Sequence, residues 1–61
     1  MTEFIFISKG GSINYEIVDE PSDVNTFKKM HMAFWWSPLE RWESLPVSRQ
    51  NAILDASERL K

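Results

Sequence analysis

Sixty-one residues, with seven basic and nine acidic side chains, a formal net charge of −2 and no cysteine, suffice for one small domain and exclude several kinds of chemistry. A chain of this length buries only about 60 % of the surface its unfolded form exposes, and the margin left for such a domain is about 3–5 kcal/mol without an added staple. Disulfides and thiolate zinc sites are ruled out, and a single histidine rules out a multi-histidine metal centre. No cofactor is expected.

The N-terminal MTEFIFISK carries an acid where a secretory signal needs basic residues, and no stretch approaches the ~20 apolar residues of a membrane helix. A cytoplasmic protein with no membrane association is the expectation. EFIFIS and INYEIV, separated by KGGS, read as a β-hairpin spanning about residues 3–18. Glycines supply the positive φ of tight turns, so Gly10-Gly11 is the expected two-residue loop. That register places Phe4, Phe6, Tyr15 and Ile17 on one aromatic face, and a slip of one residue would mix the two faces.

A two-stranded hairpin must pack on something. Ser22 is the expected N-cap of a first helix over about 23–36, with Asp23 in the favoured first turn. Val24, Phe27, Met30, His31, Phe34 and Trp35 share its broad apolar stripe. The helix should stop at SPLE, because the residue before a proline leaves the α region. Ser37 and Glu40 then form a capping box for a second helix, about 38–44, with Pro38 in its first turn and Leu39 and Trp42 on one side. A third helix, about 47–60, directs Val47, Ile53, Leu54 and Leu60 to a seam that also holds Gln50 and Ser57. The expected architecture is a single α+β domain of ββααα order over residues 1–61. Its N-terminal antiparallel hairpin packs on the first helix, and two further helices close the other side. The alternative is a dimer in which two hairpins join into one four-stranded sheet.

Three tryptophans within eight positions, Trp35, Trp36 and Trp42, pose the functional question. On a helix Trp36 lies 100° from Trp35, beside Asn25, Lys29 and Met32. Either the later helices cover this second apolar spot, with Trp42 and Leu39 as partners, or a Trp/Met patch stays exposed. Exposed indoles are favoured contacts because one rigid ring buries much area at little entropy cost. The candidate partner-binding residues are Met32, Trp36 and Trp42, with Lys29 and Arg41 on a polar rim.

Catalytic residues are not expected: a lone histidine in an apolar stripe, no nucleophile motif and no phosphate loop argue against an enzyme. Glu16, Asp19, Glu20 and Asp23 read as a solvated strand end and helix start. VSRQN at the start of the third helix offers a second reading. Ser48, Arg49 and Asn51 (with Gln50) are types that read base edges, and a short helix followed by this one has helix-turn-helix character. Asp55 and Glu58 on the same helix and the dispersed basic residues weigh against nucleic acid. The open edges of the hairpin could also accept a strand from a partner or a second copy.

In type, a single cysteine-free, aromatic-rich domain lacking catalytic groups resembles the small accessory proteins encoded by bacteriophages. The resemblance implies a non-enzymatic module that binds a larger host protein and inhibits or redirects it. It extends to no particular residue.

Overall fold

The computed structural model describes residues 1–60. Its elements are β1 (Thr2–Ser8), β2 (Ile13–Val18), α1 (Pro21–His31), β3 (Ala33–Pro38), α2 (Leu39–Ser44) and α3 (Val47–Glu58). The α+β class, the antiparallel N-terminal hairpin, the helix packed on it and the two closing helices are as expected. The difference is β3, which occupies residues assigned above to the end of the first helix.

The three strands are ordered β2-β1-β3, and both outer strands run antiparallel to β1. β2 and β3 are therefore parallel to each other. A parallel pair needs a long crossover, and residues 19–32, with α1 at their centre, supply it. The first helix stops at His31 because Met32 turns left-handed (φ 51°, ψ 53°) and its N–H caps the carbonyls of Lys28 and Lys29. Beyond it, AFWWS is aromatic and fits a pleated surface. Trp35 pairs with Ile7 and Trp36 with Phe6, so the segment gains both a ladder and a buried neighbour on the central strand. The helix also begins earlier than expected. Pro21 takes the first helical position, Glu20 is the N-cap, and Asp23 accepts hydrogen bonds from the N–H groups of Asp19 and Glu20 (3.2 and 3.1 Å). Ser22 is thus inside the helix.

The hairpin register also differs. The loop holds three residues, Lys9 to Gly11, closed by Ser8 N–H to the Ser12 carbonyl (2.9 Å) and Gly11 N–H to the Ser8 carbonyl (3.0 Å). The partners become Ile7–Ile13, Phe6–Asn14, Ile5–Tyr15 and Phe4–Glu16. The longer loop has a tertiary cause: the Gly10 N–H donates to the Ser57 carbonyl of α3 (2.8 Å). Ser57, completely buried, is small enough to admit the loop. At Gly11 (φ +93°) a Cβ would stand 2.7 Å from Glu58 Cγ. Gly11→Ala should therefore destabilise by about 1–2 kcal/mol from the left-handed backbone alone, read as a lowered urea midpoint.

One residue of slip sends Tyr15 and Ile17 to the face opposite Phe4 and Phe6, so the aromatic face is not the one expected. The α1 face carries Phe6, stacked on Phe4 and tilted against Phe27 and His31, with ring centroids 6.0, 5.9 and 6.0 Å apart. His31 Nε2 lies 2.7 Å from Glu16 Oε2, tying α1 to β2. Met30, placed above in the apolar stripe, is exposed. The other face carries Ile5 and Ile7, which pack with Trp42, Trp35, Leu39, Leu45, Ile53 and Leu54. The sheet thus lies between α1 and the α2–α3 pair, and β1, buried on both faces at Ile5, Phe6 and Ile7, is its centre. Ser37 is a buried strand residue opposite Ile5, so the expected capping box with Glu40 does not form; Pro38 is the N-cap of α2. In α3, Ile53, Leu54, Gln50 and Ser57 face inward as expected, whereas Val47 is exposed; the helix ends at Glu58, short of the expected 60, and Leu60 beyond it is exposed.

Candidate functional site

Trp35 and Trp36 do point in different directions, but through strand alternation rather than helical rotation. Trp35 faces the α2–α3 layer and packs on Trp42, with ring centroids 5.2 Å apart and planes tilted by 56°. Trp36 faces the α1 layer, where Lys28 Nζ sits 3.8 Å from its ring centroid. Trp36 is 37 % exposed and Trp42 only 8 %. The five candidate contact residues therefore do not form one cluster. Trp42 belongs to the core on the opposite side of the sheet from Trp36, because α2 folds back over Ile5 and Ile7.

The other four gather around β3. Met32 and Lys29 line a shallow groove with Lys9, Asn25, Lys28 and Ala33. Asn25 and Lys28 continue from it to Trp36. Arg41 reaches the outer side of β3, where a second groove is lined by Phe4, Phe34, Trp36 and Pro38. The result is a band of apolar side chains, Met32, Phe34 and Trp36, bordered by Lys9, Lys28, Lys29 and Arg41. The lining residues of these two outer grooves include no carboxylate, whereas the groove that joins them at Asn25, Lys28 and Trp36 also holds Asp19 and Glu20.

Met32 stands apart within the band. It is 65 % exposed, and it is the only non-glycine residue with positive φ among the described residues. A β-carbon in this conformation costs about 1–2 kcal/mol, and helix ends of this kind most often carry glycine. Strained backbone positions cluster at active sites, ligand clamps and switch regions.

Lys28 and Phe34 were not among the candidates. Phe34, expected in the helical stripe, is instead the extra residue where pairing jumps from Ile7–Trp35 to Ser8–Ala33. The run AFWWSP, aromatic and closed by proline, was the signal for a strand. Ser48, Arg49 and Asn51 are exposed at the start of α3. Gln50 is committed internally, donating to the Trp42 carbonyl at the end of α2 (2.8 Å). The exposed side of α3 also presents Asp55 and Glu58. No helix among the described residues is long and apolar enough to cross a membrane. Compared with protein-family models, curated proteins and solved structures, the chain shows no match.

Proposed function

We propose that this chain is a non-enzymatic protein-interaction module that docks the band along α1 and β3 onto an acidic, partly apolar face of a larger protein, and inhibits or redirects that protein by occlusion. Met32 and Trp36 supply the apolar contacts, and Lys28, Lys29 and Arg41 the complementary charge. The observation that carries the reading is Met32, an exposed apolar side chain kept at a strained backbone position that glycine would relieve.

Met32→Gly separates binding from folding. Relief of the left-handed strain, less the entropy glycine adds to the unfolded chain, leaves a net stabilisation of up to about 1 kcal/mol. The variant should therefore melt higher while retaining less partner. Immobilised wild type, Met32→Gly and Trp36→Ala are exposed to the same host lysate, with circular dichroism confirming the fold. The expected result is a protein held by wild type, held less as salt rises, and lost on both variants. Equal retention by the wild type and both folded variants, or retention indifferent to salt, overturns the reading.

A further inference from the structure

We infer that β2 is a self-complementary edge that joins two copies of this chain through one continuous six-stranded antiparallel sheet. The inference is independent of the docking band described above, which lies at the opposite edge.

β2 is bonded on one side only, to β1. The Ser8 N–H bond to the Ser12 carbonyl fixes which β2 residues turn their backbone toward β1. In an antiparallel ladder hydrogen-bonded and non-bonded pairs alternate. Asn14, Glu16 and Val18 therefore bond inward, and the N–H and C=O groups of Ile13, Tyr15 and Ile17 point out from the free edge. The side chains of these three lie on the α2–α3 side of the sheet, but α2 and α3 pack chiefly on β1 and β3. They remain 44, 55 and 49 % exposed. The residues with unpaired backbone are the same ones whose apolar side chains are uncovered.

The two edges of the sheet are treated differently. β3 has a bulge at Phe34 and ends in Pro38, both devices that blunt an edge against strand addition. β2, INYEIV, has no proline, lysine or bulge. Its one charge, Glu16, points to the α1 side and is engaged by His31.

A two-fold axis normal to the sheet keeps each face on its own side, so it must pass through a residue. Centred on Tyr15, it sets Ile13 opposite Ile17 of the second copy, Tyr15 opposite Tyr15, and the Glu16 carboxylate beside the neutral Asn14. Centred on Glu16, it would oppose two carboxylates. Centred on Asn14, it would place Ile17 opposite Gly11 in the loop. The Tyr15 register alone pairs the whole apolar stripe without a like-charge contact, and aromatic and branched cross-strand pairs are those that stabilise sheets. The assembly would be a closed, isologous dimer. It takes the place of the four-stranded hairpin dimer that the sequence offers as an alternative, because β3 occupies the far side of β1. It also leaves the two docking bands at the far ends of the sheet.

The test is sedimentation of the full chain over a concentration series, with amide exchange followed in parallel. The expected mass is twice that of the chain, with a melting temperature that rises with concentration. The amides of Ile13, Tyr15 and Ile17 should be protected in the dimer and lose that protection on dilution. Tyr15→Lys, a change at an exposed position, should give a folded monomer. If that variant does not fold, Ile17→Lys serves the same purpose. A monomer at every concentration, a folded Tyr15→Lys or Ile17→Lys variant that still dimerises, open-ended growth beyond two copies, or a dimer whose three edge amides exchange freely would each overturn the inference.

Discussion

Trp42→Ala should leave no cooperative unfolding transition, whereas Trp36→Ala should keep one. Trp42 is 8 % exposed and packs with Trp35 against Ile5 and Ile7. Truncating a buried tryptophan costs about 3–5 kcal/mol, because lost transfer energy is joined by a cavity that small elements close only in part. A domain of this size has about 3–5 kcal/mol to lose. Near-ultraviolet circular dichroism and urea titration would show a broad, non-cooperative response at the lowest urea. Trp36 already meets solvent on one side, and Lys28 covers its ring, so its removal opens no enclosed cavity. A Trp42→Ala protein with an unchanged midpoint would mean that α2 does not hold the sheet, and the layer order described here would be wrong.

Phe6→Ala should be as damaging from the other side of the sheet. Phe6 is fully buried on the central strand and holds Phe27 and His31 of α1 through ring contacts near 6 Å. The expected loss is again about 3–5 kcal/mol. Phe6→Leu, which keeps most of the volume, should cost less than about 1.5 kcal/mol. Amide exchange distinguishes this variant from a general collapse. α1 depends on Phe6 for its seat and has no buried residue of its own, so its amides should lose protection first. Equal midpoints for the alanine and leucine variants would show that α1 is not held through this ring.

These predictions draw on contacts only partly legible in the sequence. The hairpin was readable from two runs of branched and aromatic residues around Gly10-Gly11. The second and third helices were readable from Pro38 and the spacing of Leu39, Trp42, Ile53 and Leu54. The third strand was written in AFWWSP, but weakly. Phenylalanine and tryptophan are only modestly unfavourable in helices, and a six-residue aromatic run has no period that separates strand from helix. The choice was made by Ile5, Phe6 and Ile7, more than twenty residues away, which offer β3 a ladder and a buried face. In the candidate site, Met32, Trp36, Lys29 and Arg41 do surround one strand. Trp42 could not be assigned in advance, since its burial depends on α2 turning back across the sheet. The strain at Met32 has no sequence signature, because it arises where a helix must stop at a residue other than glycine.

The amino-acid sequence alone determined what local chemistry can dictate. These features are a single cysteine-free domain with an antiparallel hairpin, proline-marked helix starts, and adjacent indoles that must look apart in helix or strand. Tertiary structure decided everything that compares distant parts. The Gly10 N–H finds the Ser57 carbonyl, so the loop takes three residues and every β2 side chain changes face. β1 has room for a strand on its second side, so the helix ends at His31 and the sheet gains β3. Side chains alternate every residue in a strand, so a one-residue choice made by a remote contact redistributes a whole face. No local pattern can foresee which remote contact will make that choice.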